Sequence, residues 1–205
     1  MSVKVENFGC RLNALEGDVA QAAAKTAGLD KTIIINGCSV TGEALRQARQ
    51  AARRAKRAGP DHEIIVTGCA AQTDAPTFAA MPEVDRVLGN EEKLDPAAYA
   101  AGTPVAVSDI MARTRATPLP ATPQPSRARA FVQVQTGCDH RCTFCIIPFG
   151  RGNARSVPIA EVVAQCRDLV ARGHNEIVLT GVDVTSYGPD ISEAGLGGLV
   201  RAILD

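Results

Sequence analysis

Three cysteines fall within eight positions of the segment QTGCDHRCTFCIIPFGRG, residues 135–152. Cys138, Cys142 and Cys145 form a Cys-x3-Cys-x2-Cys pattern, and thiolates at this density are typical ligands of iron–sulfur clusters and zinc. A closed zinc site needs a fourth ligand. The nearest candidate, His140, lies inside the short first gap, where the geometry is poor. Three ligands alone leave one iron of a [4Fe–4S] cluster open to a substrate or cofactor.

A fourth cysteine nearby, Cys166, is predicted to belong to the core instead. It falls at helical spacing with apolar residues on one face of a predicted helix. These neighbours are Val162, Val163, Leu169 and Val170.

A second group of cysteines is related by position rather than by spacing. Cys10, Cys38 and Cys69 each follow a glycine, and each lies just past a predicted strand, in NFGC, INGC and VTGC. Ligands of open parallel sheets bind beyond the carboxyl ends of the strands, so the three thiols are expected to converge. The alternative is that these are three small buried core residues, because free cysteine is among the most buried residue types. The repeated placement favours a metal or cluster site.

The length, charge and cysteine content of the chain limit the classes of protein to which it can belong. The chain has 205 residues, with 22 basic and 22 acidic side chains, so no overall field attracts nucleic acid or membranes. No apolar run approaches the ~20 residues that span a bilayer, and the N-terminus lacks a signal-peptide pattern. We therefore predict a cytoplasmic protein without a membrane segment, whose thiols stay reduced. Seven cysteines then indicate metal binding or catalysis.

The first half of the chain alternates strand and helix patterns, which predicts a parallel sheet covered by helices. Thr41 is the expected N-cap of the second helix. The predicted strands are 3–8, 31–36, 62–68 and 84–89, and the predicted helices are 13–28, 41–59, about 70–80 and 90–102.

A proline- and arginine-rich segment, residues 112–129, is predicted to be an extended linker. It separates an N-terminal domain, residues 1–111, from a second unit, residues 130–205. The second unit is expected to contain a strand at 130–136, the cysteine loop, a helix at about 158–173, a strand at 175–181 and a helix start at 195–205.

Several motifs together resemble the radical S-adenosylmethionine (SAM) methylthiotransferases. The Cys-x3-Cys-x2-Cys pattern with Phe144 before its last cysteine resembles the motif of the radical SAM superfamily. The resemblance runs from about residue 3 to the last residue, 205. The further blocks that carry it are FGCRLN, NGCSVT, TGCAAQ, VDRVLGNEEK, RAFVQVQTGC with CTFCIIPFGRG, and EIVLTGVDVTSYG. Gly37 departs from the family, which commonly has threonine there.

The resemblance implies an α/β fold. A parallel-sheet, Rossmann-like methylthiotransferase domain would precede the first βα units of a radical SAM partial (β/α) barrel. Because such a barrel needs on the order of 200 residues, the chain is expected to be the N-terminal portion of an enzyme and to be inactive alone.

The resemblance also implies the site. Cys10, Cys38 and Cys69 would hold an auxiliary [4Fe–4S] cluster that carries or donates sulfur. Cys138, Cys142 and Cys145 would hold the cluster that cleaves SAM, and the resulting radical would abstract the hydrogen at adenine C2. Residues implied to contact SAM are Phe144, Thr180, Gly181 and Asp183.

The segment LTGVDVTSYG most resembles the branch that converts N6-threonylcarbamoyladenosine, next to the tRNA anticodon, into its 2-methylthio derivative. The alternatives are the isopentenyladenosine branch, the branch that modifies an aspartate of a ribosomal protein, and, in another class, a non-catalytic iron–sulfur or zinc module. Implied partners are tRNA and an electron donor such as flavodoxin or ferredoxin. The sulfur source and oligomeric state stay open.

Two basic stretches are candidate phosphate-binding surfaces. Residues 109–155 carry seven basic and two acidic residues, and here a phosphate surface and a solvated surface are equally supported. On helix 41–59 a solvated face is favoured. The basic residues are Arg113, Arg115, Arg127, Arg129, Arg141, Arg151 and Arg155 in the first stretch, and Arg46, Arg49, Arg53, Arg54, Lys56 and Arg57 on the helix.

Overall fold

Five parallel strands form the sheet of the first half of the chain, in a computed structural model that describes residues 2–120 and 129–205. The strands pair in chain order, and each neighbouring pair is parallel. Their C-terminal ends therefore share one edge of the sheet. The strands are β1 (Val3–Asn7), β2 (Thr32–Gly37), β3 (Glu63–Thr67), β4 (Arg86–Leu88) and β5 (Val105–Ala106).

Helices cover both faces of this sheet. They are α1 (Arg11–Thr26), α2 (Gly42–Ala58), α3 (Gly68–Ala79) and α4 (Pro96–Ala100). Ile34 and Ile65 pack in one cluster with residues of α1 and α4, whereas Ile35 and Ile64 pack in another with α2 and α3. Because successive strand residues point to opposite faces, β2 and β3 are buried on both sides. This explains their continuous apolar runs.

The predicted α/β architecture with a parallel sheet is confirmed, as is the N-cap of α2, where the Thr41 hydroxyl accepts a hydrogen bond from the Ala44 amide at 3.1 Å. The prediction of one helix over 90–102 is wrong. A 3-10 turn, Glu92–Leu94, ends before Asp95, and α4 starts at Pro96. Proline lacks the amide proton and disfavours helical geometry in the residue before it, so the helix restarts there.

The second half of the chain contains one parallel pair and one short antiparallel pair of strands. Its elements are β6 (Ala130–Gln133), β7 (Gln135–Thr136), α5 (Ile147–Arg151), β8 (Arg155–Ser156), α6 (Ile159–Ala171), β9 (Ile177–Thr180) and α7 (Leu196–Leu204). β6 pairs with β9, and β7 pairs with β8. The prediction of Cys166 as a core residue is confirmed, because it is buried with Val162 and Leu169 of α6.

The segment predicted as a linker is described only in part. Residues 121–128, and with them Arg127, lie outside the described residues. Residues 113–120 contain no helix or strand, yet Leu119 is buried against Leu12 and Leu15 of α1. Within residues 2–120 and 129–205, no helix combines the length and apolar character needed to cross a membrane.

Candidate metal centres

Cys10, Cys38 and Cys69 line one cavity of about 250 Å³. Cys10 is the N-cap of α1, Cys38 directly follows β2, and Cys69 lies in the first turn of α3. All three positions lie just past the C-terminal ends of adjacent parallel strands. The structure therefore brings these strand-end thiols to one place, as their positions in the sequence indicated.

Glycines allow the three turns to approach each other this closely. Gly9 and Gly68 have φ angles of +110° and +84°, a region that favours glycine. A Cβ at Gly9 would lie 2.6 Å from the Cβ of Cys38, and a Cβ at Gly68 would collide with the carbonyl oxygen of Gly37. The repeated Gly-Cys step thus has a steric cause at these two turns.

Two polar side chains that line the cavity have buried atoms without a hydrogen-bond partner among the described residues. These atoms are Oδ1 of Asn13 and Oγ of Ser39. The amide nitrogen of Asn13 donates to the carbonyl oxygens of Phe8 and Asn36, at 2.6 and 3.0 Å, which fixes the side chain. Buried polar atoms are nearly always satisfied, so this cavity suits a polar or charged occupant.

The surroundings of the Cys38 thiol disfavour its charged form. Burial raises the pKa of the Cys38 thiol, and the neighbouring Cys69 and Cys10 raise it further, while the Val40 amide, 3.5 Å from Sγ, lowers it. Metals bind the thiolate form. A cation within the cavity would stabilise that form, and the side chain of Arg151 is the cationic group that lines it.

The second group, Cys138, Cys142 and Cys145, occupies the loop between β7 and α5. The Cys145 amide donates to the Cys142 carbonyl at 3.0 Å, and the Cys138 amide donates to the Gly152 carbonyl at 3.1 Å. The Arg141 guanidinium donates to the Cys138 carbonyl at 2.8 Å. Cys142 is exposed and the other two thiols are partly buried. The loop is therefore held by backbone hydrogen bonds and by the Arg141 side chain, and Cys142 is its most exposed cysteine.

Asp183 lies beside the second thiol group. One of its carboxylate oxygens is 3.9 Å from Sγ of Cys138 and 3.2 Å from Nε2 of His140. Hydrogen bonds from the Ser186 and Thr185 hydroxyls lower the pKa of this carboxyl, and His140 lowers it further. The ligand atoms of Cys138, His140 and Asp183 lie within 4.8 Å of one another. The loop thus places His140 close enough to Cys138 to share a metal site, although the short spacing between these two residues in the sequence indicates poor geometry.

The structure does not bring the other residues implied to contact SAM together at the second thiol group. Gly181 lines the cavity of the first thiol group. Thr180 is buried at the end of β9, paired with Gln133 of β6. The Phe144 side chain is 91% exposed. The structure therefore places Asp183 directly against the cysteine loop and leaves the Phe144 ring in solvent.

Two family models match separate parts of the chain. Residues 2–89 match the family described as "Uncharacterized protein family UPF0004", and residues 132–196 match the radical SAM superfamily. The threonylcarbamoyladenosine tRNA methylthiotransferase MtaB of Rickettsia prowazekii is 48% identical over 189 residues, which cover 92% of this chain and 45% of that protein. Over nearly its whole length, this chain is therefore similar to methylthiotransferases. The match of residues 132–196 to the radical SAM superfamily implies a [4Fe–4S] cluster and SAM as cofactors.

More distant relatives of this chain carry the names of other methylthiotransferases. The tRNA-2-methylthio-N(6)-dimethylallyladenosine synthase of Paracoccus denitrificans is 34% identical, covering 98% of this chain and 49% of that protein. The ribosomal protein uS12 methylthiotransferase RimO of Desulfosudis oleivorans is 30% identical, covering 100% of this chain and 51% of that protein. The chain spans about half the length of the curated relatives it matches.

The same segment of the chain borders both thiol groups. Gly181 and Val182 line the first cavity, whereas the next residue, Asp183, contacts Cys138 of the second group. The amides of Val182 and Asp183 both donate to Oε1 of Gln135, at 3.0 and 2.9 Å. Gln135, which sequence reasoning missed, therefore fixes the segment that separates the two sites.

Two arginines counted as part of a basic surface are buried instead. Arg151 is 4% exposed and pairs with Glu16, while Arg155 is 2% exposed and pairs with Glu91 at 3.1 Å. Neither guanidinium is available to phosphate, so the predicted basic excess around the cysteine loop is reduced. Sequence reasoning missed Glu16, although a carboxylate on the apolar stripe of α1 was a signal for a buried ion pair.

The basic face of α2 is partly neutralised. Arg54 pairs with Glu6 at 2.6 Å, and Lys56 pairs with Asp85 at 2.9 Å. Arg46 pairs with a glutamate one turn before it, also at 2.6 Å. These contacts agree with a solvated helix face, the interpretation that the sequence favoured for α2.

Proposed function

We propose that this chain is the part of a tRNA methylthiotransferase that holds its two iron–sulfur clusters. The whole enzyme would convert N6-threonylcarbamoyladenosine, next to the anticodon, into its 2-methylthio derivative. The observation that carries the proposal is the pair of three-cysteine groups on either side of one shared wall. The name and 48% identity of the Rickettsia prowazekii relative support the choice of branch.

The proposal divides the chain into two units joined by a linker. Residues 1–111 form the domain with the first thiol group, and residues 112–129 are the linker. Residues 130–205 form the start of the radical SAM barrel. The sheet β1–β5 and the parallel pair β6–β9 support this division.

Cys10, Cys38 and Cys69 would hold an auxiliary [4Fe–4S] cluster. The donor set fits because three convergent thiolates suit iron–sulfur ligation. The cavity fits because it also carries unsatisfied polar atoms of Asn13 and Ser39. Within this proposal, the cluster carries or donates the sulfur that is transferred.

Cys138, Cys142 and Cys145 would hold the second [4Fe–4S] cluster, with one iron open to the amino and carboxyl groups of SAM. When bound and supplied with one electron by the electron donor, this pair of cofactors would provide a 5′-deoxyadenosyl radical able to remove the hydrogen from adenine C2, with methionine as the other product of SAM. The chain's own residues hold the loop in place: Arg141 binds the Cys138 carbonyl, and Asp139 accepts a hydrogen bond from the Ala154 amide at 2.9 Å.

Phe144, Thr180, Gly181 and Asp183 are proposed to contact SAM, and Asp183 has the strongest structural support. Its carboxylate lies next to Cys138 and is held ionised by hydroxyl donors, so it can accept hydrogen bonds. The exposed Phe144 ring offers an apolar surface beside the loop. A tRNA substrate, a flavodoxin or ferredoxin as electron donor, and a cytoplasmic location complete the proposal.

Nucleoside mass spectrometry of tRNA tests the proposed substrate. A strain that lacks the full gene should lose 2-methylthio-N6-threonylcarbamoyladenosine and accumulate the unmethylthiolated nucleoside. Complementation with the full gene should restore it, and complementation with a Cys138→Ala gene should not. Loss of a 2-methylthio isopentenyladenosine derivative would assign the second tRNA branch. An unchanged tRNA with an unmodified ribosomal-protein aspartate would assign the third.

The grouping of Cys138, His140 and Asp183 favours one function of another class, a non-catalytic metal-binding module. Thiolate, imidazole and carboxylate are all zinc ligands. EPR spectroscopy separates the two functions. An open iron at the second site should change its EPR signal when SAM is added. A closed site should show no change, and its metal should be lost in His140→Ala.

A further inference from the structure

Three charged side chains are buried together where the two halves of the chain meet. Glu16 comes from α1, Lys93 from the 3-10 turn after β4, and Arg151 from α5. Lys93 is fully buried, and the other two are about 4% exposed. Arg151 donates two hydrogen bonds to the Glu16 carboxylate, at 2.7 and 2.9 Å, and Lys93 donates one at 2.6 Å.

The charges in this group do not balance. Lys93 has oxygen acceptors for three hydrogens, from Glu16, Asn90 and Asn36 at 2.6, 2.7 and 3.5 Å, which fits an ammonium group. Arginine stays charged in proteins. One carboxylate therefore faces two buried cations, which leaves one positive charge. Buried charges are normally compensated, so a further negative charge is expected nearby.

The thiol cavity is the neighbouring place where that negative charge fits. Arg151 lines the cavity that Cys10, Cys38 and Cys69 surround. Its neighbour Gly150 packs so closely on Cys69 that an added Cβ would lie 3.2 Å from the cysteine Cβ. Asn90 stabilises the contact between Gly150 and Cys69. Its amide nitrogen donates to the Gly150 carbonyl and lies 3.6 Å from Sγ of Cys69.

We propose that Arg151 is a positioning residue whose fixed charge balances the anionic group held by Cys10, Cys38 and Cys69, so that the radical SAM unit completes the auxiliary site of the N-terminal unit. This inference rests on the proposed function, in which those thiolates hold a [4Fe–4S] cluster. Glu16 and Lys93 hold the guanidinium at the cavity wall. The docking of the two units and the charge of the auxiliary site are then set by the same side chain.

A reduction potential reports this charge directly. Adding an electron to an anionic cluster increases its negative charge, and a fixed cation beside it favours the reduced form. Arg151→Gln removes the cation and leaves a balanced Glu16–Lys93 pair, so the fold should persist. Arg151→Lys keeps the charge but loses the two-pronged contact. Arg155→Gln is the matched control, because Arg155 is buried at the same boundary but pairs with Glu91.

The experiment uses the whole chain with Cys138, Cys142 and Cys145 changed to alanine, so that only the auxiliary site binds iron. The parent and the three Arg variants are reconstituted anaerobically, checked for folding by circular dichroism, and titrated while their EPR signal is recorded. Arg151→Gln should lower the equilibrium constant for reduction of the cluster at least tenfold. This corresponds to a reduction potential that is lower by about 59 mV for one electron. Arg151→Lys and Arg155→Gln should stay close to the parent.

The other outcomes are also decisive. Iron that is lost from Arg151→Gln but kept in Arg151→Lys supports the proposal, because the positive charge at position 151 is then needed to retain the anionic cluster. An unchanged potential in Arg151→Gln overturns it and leaves the proposed function intact. Iron lost from both Arg151 variants but kept in Arg155→Gln also overturns it, because contact geometry then matters rather than charge.

A parent that binds no iron contradicts the proposed auxiliary cluster itself. Should Arg151→Gln fail to fold, Glu16→Gln/Lys93→Gln/Arg151→Gln takes its place, because it removes the whole charged group and its net positive charge, and the same shift is expected.

Discussion

Replacing Glu16 with glutamine should destabilise the cluster-free chain strongly. The Glu16 carboxylate is the acceptor shared by Arg151 and Lys93, and all three side chains are buried. Glutamine keeps the shape of the side chain but removes its charge. Two cations would then lie side by side in the interior without a counter-charge, which is the most costly arrangement of buried charges.

The size of the effect follows from two independent arguments. Breaking a buried ion pair by removing one partner typically costs about 3–5 kcal/mol. Burial by itself would raise the pKa of Glu16, but Arg151 and Lys93 lower it from 4.5 to about 2. Such a difference corresponds to roughly 3 kcal/mol of stability at neutral pH. For a chain of this length, 3–5 kcal/mol lowers the melting temperature by roughly 6–20 °C.

Thermal and urea denaturation of the cluster-free protein at pH 7 measure this change. Glu43→Gln is the matched control, because Glu43 also pairs with an arginine, Arg46, but the two side chains are 54% and 53% exposed. Solvent screens such surface pairs, so the control should unfold close to the wild type. A Glu16→Gln protein that matches Glu43→Gln in stability would refute the assignment of a buried charge group.

The same variant predicts a pH dependence. The pKa of Glu16 is lowered in the folded state, so its contribution is present above the unfolded value of about 4.5 and is lost as the pH falls toward about 2. The difference in stability between wild type and Glu16→Gln should therefore shrink between pH 5 and pH 2. A difference that stays constant over this range would show that Glu16 is not the titrating group.

Three further changes test single positions. Gly9→Ala should lower the iron content of the auxiliary site, measured after anaerobic reconstitution, because a Cβ there meets Cys38 and the φ angle is positive; normal iron loading would contradict this packing. Cys166→Ala should leave the iron content unchanged, because this thiol is buried in the core of the second unit, and any loss of iron would show that it is a ligand. Thr41→Ala should reduce the free energy of unfolding by about 1 kcal/mol through the lost N-cap bond to Ala44, and equal stability would refute that cap.

The sequence predicted the strand-end thiols because their positions depend on local patterns. An apolar β-branched run followed by a glycine and a cysteine identifies a strand, its end and the residue beyond it. Parallel pairing then places Cys10, Cys38 and Cys69 at one edge. No long-range information was needed beyond the rule that parallel strands share an edge.

The contacts between the two halves could not be predicted in this way. Arg151 and Glu16 are separated by 135 positions, and no local pattern relates an arginine in a glycine-rich turn to a glutamate in a distant helix. The same holds for His140 and Asp183, which meet only when β9 pairs with β6. The short helix α5 was missed because Pro148 and Gly150 are weak helix formers, whereas its packing against α3 stabilises it.

Iron content after anaerobic reconstitution tests the central claim of two separate cluster sites most directly. The wild-type chain should bind roughly eight irons. A chain with Cys10, Cys38 and Cys69 changed to alanine should bind roughly four, and so should a chain with Cys138, Cys142 and Cys145 changed. A wild-type chain that binds only four irons, or a first triple variant that keeps all of its iron, would contradict the account.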